Sequence, residues 1–589
     1  MIVPMKKVLL LALKSDRDAC LDKLREFGAV EVVSEALADS ADRIAGAVEL
    51  AALDRVIGSL SSRKASSDKD LPQIPVGDKA LLEYALKTYD SSEELQSRQN
   101  ELRKEQAALA PWGEYDPALI AGLREQNIYV YLCESSLEQQ RTLSEKLENA
   151  AIQVISANQG MCRFAVIAQA AITDVELPEV PLAERTLSAV CADMDELAIR
   201  QEKLEKELDA LHAALPALKT LRGKMASDVE LLSVRDGLSD CGQLVALRGF
   251  VPEPQAEKLQ TFARENAWAL LLSDPEPGET VPILLEPPRW VKPVMPLFQF
   301  LGIAPGYEEF DMSPAMLIFF SIFFSMIIND AGYALIMLVL SVIAAVVLRK
   351  NTKAAMPCRL AIILSGCASA WGIISGSYFG AEVAATQLPF FASGSSQIAN
   401  LQLVCFVLAL VHLSLGHCWQ LVNARTALDV IGQLGWIPIL LLDFIVVLSL
   451  LVFPGMGIPA WALITGGVGF AMVLIGGVNW RDVSAICNLP FDLIGSFTDT
   501  LSYVRLFAVG LAGAYMAHSF NDMAMQLWDI SPLLIPAAIL VLLIGHLMNV
   551  ALAFMSVFVH GVRLNTLEFS NHAGIRWGGQ AFKPLKKFE

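Results

Sequence analysis

The apolar residues follow two different patterns along the chain, and the change comes near residue 310. Before it, apolar positions are periodic and interrupted by charge. After it, they form blocks about as long as a bilayer is thick.

In the first part, residues 7–14 predict a strand, 15–27 a helix and 29–34 a second strand. The same unit recurs much later as a strand at 243–250, a helix at 252–266 and a strand at 268–272. Two such β-α-β units combine into a ferredoxin-like sheet covered by helices. A further α/β lobe lies between them, with strands at 128–132, 152–155 and 163–167 and a helix at 137–147. The opening MKKVLLLALK imitates a signal peptide, but its apolar run is short and is closed by Lys14, so a buried strand is the better reading.

Long helices join the lobes. Leu95, Leu102 and Leu109 recur every seven residues, and Leu204, Leu208, Leu211, Leu215 and Leu218 alternate spacings of four and three. Flanked by Glu and Lys, these seams predict an antiparallel coiled-coil stem, with a globular helix bundle as the alternative. Pro216 should kink it. The Ser- and Pro-rich stretch 61–79 reads as a loop. The predicted fold is therefore multidomain. A proximal α/β lobe takes residues 1–35 and 233–290, and a coiled-coil stem takes 36–112 and 175–232. A distal lobe spans 113–174, a linker 291–312, a transmembrane domain 313–570 and a cytoplasmic tail 571–589.

Eight apolar segments follow the linker, at 314–329, 332–349, 358–379, 399–421, 432–453, 459–479, 490–526 and 532–568. The first two are nearly continuous. The last two are overlong: 37 residues each would reach roughly 55 Å as helices, against a hydrocarbon core of ~30 Å, so they must tilt or project.

Composition sharpens this division. The chain has 589 residues, is 54% hydrophobic and carries a net charge of −17. Residues 1–310 hold 33 Lys+Arg against 50 Asp+Glu, whereas residues 311–589 hold 12 of each. The acidic balance argues against nucleic-acid binding, which needs a basic patch. The ten cysteines are scattered singly with no metal-ligand spacing, and no GxxxxGK[ST] loop occurs, so no metal, cofactor or nucleotide site of its own is expected.

With the acidic part placed in the cytoplasm, every loop predicted there is basic. Arg349, Lys350, Lys353 and Arg359 fall in one loop, Arg425 and Arg481 in two others, and Arg576, Lys583, Lys586 and Lys587 in the tail. The opposite loops hold only the acids Asp330, Glu382, Asp522 and Asp529. This obeys the positive-inside rule and puts both termini in the cytoplasm. Two cations remain within the last two spans, Arg505 and Arg563. Intramembrane arginines usually face protein or water and usually act; the bland alternative is a snorkelling anchor. Small residues flank Arg505 (Thr498, Ala508, Val509, Ala512), which lets another helix approach. Asn549, Ser556 and Arg563 fall at spacings of seven with His560 beside them. That stripe suggests either a water-accessible path or a helix–helix hydrogen-bond seam.

Five segments are specific: LSYVRLFAVGLAGAYMA (501–517), VFVHGVRLNTLEF (557–569), FFSMIINDAGYALIM (323–337), WGIISGSYFG (371–380) and LVHLSLGHCW (410–419). They resemble motifs of the membrane stator subunit of V-type and A-type rotary ATPases, called subunit I in bacteria and archaea and subunit a in eukaryotes. The resemblance covers the whole chain, and the short length looks bacterial or archaeal. It implies half-channels working against a ring of proteolipid subunits, peripheral-stalk coiled coils docked on the soluble arm, and a central-stalk cap subunit at the membrane. An ATP-hydrolysing head is then an indirect partner, and H⁺ or Na⁺ the ion. Arg505 matches the family's essential arginine, which keeps a ring carboxylate ionised and blocks leakage. Arg563 matches the second arginine, and Glu568 an acid just after it. Asp330 matches a family Asp that either shapes a helix break or carries ions. Asn329 and Ala334 stand where the family has glycines, and Gly513 and Ala553 where eukaryotic relatives carry a His and a Glu. Asp443, Asp492, Asp499, His412 and His417 are further membrane-embedded candidates for the path. A secondary transporter with a soluble regulatory domain is the competing reading, but it predicts an internal repeat that is not evident. A signalling receptor leaves the two arginines unexplained.

Overall fold

The structure, a computed structural model, describes all residues except 34–39, 64–70, 148–149, 159–160, 173–176, 277, 392–396, 425, 479, 481–482 and 588–589. Arg425, Arg481 and part of the loop expected at 61–79 lie outside the described residues. The chain divides into two units. One holds Met1–Ala12, Ala29–Val32 and Ala246–Pro584; the other holds Leu13–Gly28, Val33–Val245 and Leu585–Glu589.

The first unit begins with a sheet of β1 (Met5–Leu13), β2 (Glu31–Val33), β3 (Leu244–Pro252) and β4 (Ala269–Ser273), in the order β2-β3-β1-β4. The two inner strands each open a β-α-β unit and the outer two close one, which is the interleaving expected from the repeated unit. β1 and β4 are antiparallel, with Lys7 opposite Ser273. On β1 the apolar Val8, Leu10 and Ala12 alternate inward. Gly249 on β3 lies so close to the Glu31 carbonyl that any side chain there would collide with it. The tail returns to this unit: Gln580–Ala581 pairs in parallel with Pro282–Ile283, and Arg576 N donates to Glu309 Oε1 at 2.9 Å.

Its larger part is apolar helix: α1 (Ser313–Ile328), α2 (Ala331–Val347), α3 (Thr352–Ser375), α4 (Gln397–Val422), α5 (Ala427–Val447), α6 (Ala460–Met472), α7 (Val483–Ser502), α8 (Val504–Ile530), α9 (Ile535–Ser556) and α10 (Phe569–Ala573). Among the described residues, six helical stretches are long and apolar enough to cross a bilayer: Thr352–Ser375, Gln397–Val422, Ala427–Val452, Ala460–Gly477, Ile486–Ile530 and Pro532–Ala573. The last two, of 45 and 42 residues, are the overlong pair the hydropathy predicts. The expected first two spans are shorter, at 16 and 17 residues. They are separated by Asn329, whose left-handed φ of 46° ends α1. Apolar on all sides, α1 is the core of the bundle. Its Phe319, Phe320, Phe323 and Phe324 pack with Leu413, Leu440, Tyr503, Leu506, Leu564 and Phe569. Gly510 on α8 allows backbone contact with the Met326 carbonyl of α1.

In the second unit, the long helices Ala41–Ser61 and Leu215–Asp236 run antiparallel, because Asp54 meets Arg222 while Asp42 meets Arg235. Asp78–Leu109 and Leu187–Ala213 do likewise, joined through Gln99–Gln201 and Gln106–Cys191. Leu53, Val56, Leu60, Leu81, Leu208, Leu211, Leu218 and Leu221 form one core. The chain breaks at Ala214, and Pro216 sits in the first turn of the next helix, where its missing N–H costs nothing. A three-stranded sheet places Met161–Ala168 between Tyr129–Ser136 and Ala150–Asn158, antiparallel to both. The helix Leu137–Lys146 starts from a Ser136/Gln139 capping box. Burial pushes the Cys20 and Cys133 thiols up to about 11.

Candidate functional site

The site is built where the two overlong helices deviate from regular α geometry. The first deviation is at Tyr503, between α7 and α8. Tyr503 N bonds to Thr500 O and Leu506 N to Tyr503 O, so the ladder tightens to i→i−3 there. The kink is held by the buried Tyr503 ring, whose hydroxyl lies 2.7 Å from His412 Nδ1 on α4. His412 is sandwiched between Phe319 and Phe569, with ring centroids 3.9 and 4.3 Å away. Next to the kink, Ser502 O is free to accept from Arg505 Nε at 2.9 Å.

The second deviation follows α9. Val557–Val562 and Leu564–Glu568 are π-helical turns, which link residues five apart and turn Arg563 and Glu568 toward one side. Glu568 is 2% exposed. Its Oε1 receives Arg505 Nη2 at 2.5 Å and lies 3.5 Å from Arg563 Nε. Its Oε2 is buried with no hydrogen-bond partner among the described residues. One carboxylate thus stands between two guanidinium groups, and the Arg505 side chain remains 23% exposed. His560 lies in the first π turn, its Nδ1 buried and unpartnered among the described residues. Ser556 is half-buried just before that turn. The π turns shift the helical phase, so the seven-residue stripe from Asn549 to Arg563 is not one straight face.

Two polar chains lead to α7 and α8. One passes from Gln433 Oε1 to His417 Nδ1 (2.9 Å), from His417 Nε2 to His572 Nδ1 (2.8 Å), and from His572 Nε2 to Asp499 Oδ2 (3.3 Å). It starts at a cavity of about 370 Å³ lined by Glu309, Trp419, Gln420, Asp429, Gln433 and Gly574. Gly416 makes the histidine pair possible, since a Cβ there would stand 3.0 Å from the His572 carbonyl carbon.

The other chain joins Asn521 Oδ1 to His546 Nε2 (3.1 Å), His546 Nδ1 to the Tyr333 hydroxyl (2.6 Å), and that hydroxyl to Asn549 Nδ2 (3.2 Å). Asn549 also donates to Gly513 O at 3.0 Å. Asn521 lines a second cavity of about 570 Å³, together with Ser377, Glu382, Tyr515 and His518.

Asp330 stands apart from the arginine pair. Its Oδ1 caps α2 through Tyr333 N (3.1 Å), and its Oδ2 accepts from Ser377 Oγ and Gly380 N (3.0 Å each). Of the two roles open to it, these bonds serve the helix break. Asp443 accepts from Ser496 Oγ at 2.9 Å, and Asp492 is exposed on α7.

The geometry thus brings together Arg505, Arg563 and Glu568, links His417 with Asp499, and places Asn549 in the second chain. Tyr503, His572, Gln433, Tyr333, His546 and Asn521 were not singled out from the sequence. Tyr503 lies two residues before Arg505 inside a quoted motif, and Tyr333 three residues after Asp330 inside another, which were the available signals. His572 fell in the predicted tail because the helix continues as Phe569–Ala573, past the expected end of the span.

Comparison with known proteins supplies the family. A V-type ATP synthase subunit I of Treponema pallidum is 31% identical over the full length of both chains. The chain belongs to the subunit I family of V-type and A-type ATP synthases. A Borreliella burgdorferi V-type subunit I is 27% identical, again over all of both chains. A Methanocaldococcus jannaschii A-type subunit I is 27% identical over 76% of this chain and 68% of its own. No family model matches. The chain is therefore a membrane subunit of a rotary ATPase and an ion-transport component, as its motifs imply.

Proposed function

We propose that this chain is the stator that forms two ion half-channels against a rotating proteolipid ring, with Arg505 as the barrier between them. One observation carries the reading. Along α7 and α8, Arg505 lies six residues after Asp499 and eight before Gly513, and those two residues end the two polar chains. At 1.5 Å per residue the chains arrive roughly 9 and 12 Å to either side of the arginine. A ring carboxylate opposite Arg505 is held ionised, gives up its ion to one chain and takes another from the second. Arg563 steadies Glu568 and the cation beside it.

In this reading α1 and α2 complete eight crossings and both termini are cytoplasmic, in keeping with where Lys and Arg fall. The cavity beside Gln433 then faces the cytoplasm and the one beside Asn521 the opposite side. The acidic arm, with its long paired helices, docks peripheral-stalk coiled coils, and a central-stalk cap subunit sits at the membrane. The chain has no nucleotide site of its own and couples H⁺ or Na⁺ movement to ATP hydrolysis or synthesis in the head. The test is co-purification of ring and stalk chains in mild detergent, followed by ATP-driven ion uptake with Arg505→Ala. A clean monomer, or undiminished uptake by the variant, overturns the reading.

A further inference from the structure

We propose that the α2–α3 hairpin holds one anionic phospholipid, with an acyl chain in the groove between α2, α3 and α9 and the phosphate among Arg349, Lys350 and Lys353. The site lies away from the Arg505 pair and rests only on the reading of α2 and α3 as membrane crossings.

Three observations carry it. First, the groove has a volume of about 420 Å³ and is walled chiefly by Ile336, Met337 and Leu340 of α2, Ala361 and Leu364 of α3 and Phe554 of α9. Tyr333 also lines it, but its hydroxyl is bonded to His546 at 2.6 Å. A slot of this kind takes hydrocarbon and excludes an ion.

Second, the cations stand at one end of the slot. After α2, Asn351 closes the turn: its N donates to Leu348 O at 2.8 Å, and its Oδ1 caps α3 by accepting from Lys353 N at 3.1 Å. Arg349, Lys350 and Lys353 are thereby held within one tight turn, all three exposed. Lys353, Pro357 and Leu364 are spaced by four and then seven residues, so they lie on one row of α3. That row sets Lys353 roughly 16 Å along the axis from Leu364, and half of a ~30 Å hydrocarbon core is about 15 Å. A chain lying in the slot brings its phosphate to the level of the cations. Arg359 falls on the side of α3 opposite Ala361 and does not belong to the site.

Third, these cations lack a counter-ion. The sequence has no Asp or Glu between Asp330 and Glu382, and Arg349, Lys350 and Lys353 make no ion pair among the described residues. Arg505 and Arg563, by contrast, share Glu568. The positive-inside rule accounts for cations in this turn but not for an apolar slot beneath them. Bulk lipid accounts for the slot but not for the unneutralised charge. A phospholipid with an acidic headgroup fills both.

The experiment uses the complete complex in vesicles that contain phosphatidylglycerol or phosphatidylcholine with a diazirine in the acyl chain. Cross-links to α2 and α3 are mapped by mass spectrometry. Phosphatidylglycerol should label the slot at least about tenfold more than phosphatidylcholine. Lys350→Gln/Lys353→Gln leaves Arg349 and Arg359 to orient the turn and should abolish that preference. Ala361→Phe fills the slot with the cations intact and should lower labelling by phosphatidylglycerol to the phosphatidylcholine level. Arg359→Gln should keep the preference, and glycerol phosphate in solution should not compete. Equal labelling by the two lipids in the wild type overturns the proposal, and that comparison decides even where a variant fails to assemble. Wild-type preference in the double Gln variant or in Ala361→Phe also overturns it, as does competition by glycerol phosphate, which would make the turn a site for free anions. Arg505→Ala should keep the preference, so a failure here leaves the stator reading standing.

Discussion

The buried Glu568 carboxylate accepts a 2.5 Å hydrogen bond from the Arg505 guanidinium, across from one overlong helix to the other. The arginine is therefore not a bare cation awaiting a partner. In the stator reading proposed above, a ring carboxylate approaching its exposed side would share or displace this internal counter-ion, so that the arginine could hold a passing carboxylate and release it again. The kink at Tyr503 and the π turns before Glu568 exist in the two helices that meet at this pair.

The coupling between these two residues is measurable. Arg505→Ala leaves Glu568, with its side chain only 3% exposed, to Arg563 alone at 3.5 Å. Breaking a buried ion pair from one side costs about 3–5 kcal/mol, less here because Arg505 is partly exposed. Arg505→Ala/Glu568→Ala removes the stranded charge as well. The thermal midpoint of the solubilised complex should fall in the single variant and recover at least in part in the double. A double variant no more stable than the single one contradicts the pairing.

Asp330 should behave as a structural residue. Its carboxylate accepts three hydrogen bonds, from Tyr333 N, Ser377 Oγ and Gly380 N. Asp330→Asn keeps an acceptor for the cap but points an amide donor at the others, and Asp330→Ala loses all three. At about 1 kcal/mol per bond, stability should fall in the order Asp, Asn, Ala. Ion uptake per assembled complex should stay near wild type in the Asn variant. An assembled Asn variant that does not pump would assign Asp330 an ion-carrying role instead.

Gly510→Ala should impair assembly. The added methyl meets the Met326 carbonyl, a backbone atom of the most buried helix, so α1 and α8 must separate. The yield of complex after detergent extraction reports this, and a yield equal to wild type contradicts the close approach.

Cys20 and Cys133 should resist thiol reagents at pH 8 in the folded protein. Burial raises both thiols from 9.0 to about 11, so the reactive thiolate is about a hundredfold scarcer. The sign is that of a neutral thiol favoured by desolvation, and reactivity should rise only as pH climbs toward 11 or the arm unfolds. Mass spectrometry after maleimide treatment gives the answer. Rapid modification of either residue in the folded protein contradicts the burial.

The sequence carried the parts of this site that depend on residue type and local order. Arg505 and Arg563 stood out because a charge inside an apolar block is expensive, and Glu568 because it follows Arg563 within a specific motif. The two β-α-β units were legible from alternation and helical spacing, and their interleaved strand order followed. Periodicity assumes a uniform pitch, which the π turns at Val557–Val562 and Leu564–Glu568 break. The last helix then continues as Phe569–Ala573, past its expected end, and buries His572 against His417, 155 residues away. Gly416 enables that meeting by having no side chain, which no hydropathy pattern records. The division between α1 and α2 depends on a single left-handed Asn329 and on the Asp330 cap, so apolar blocks alone blurred it.

The central claim is that Arg505 separates two ion paths, and ATP-driven ion uptake by liposomes holding the Arg505→Ala complex tests it most directly. With rates normalised to assembled complex, the account predicts that ring and stalk subunits remain associated while uptake is lost. Uptake at the wild-type rate would contradict it.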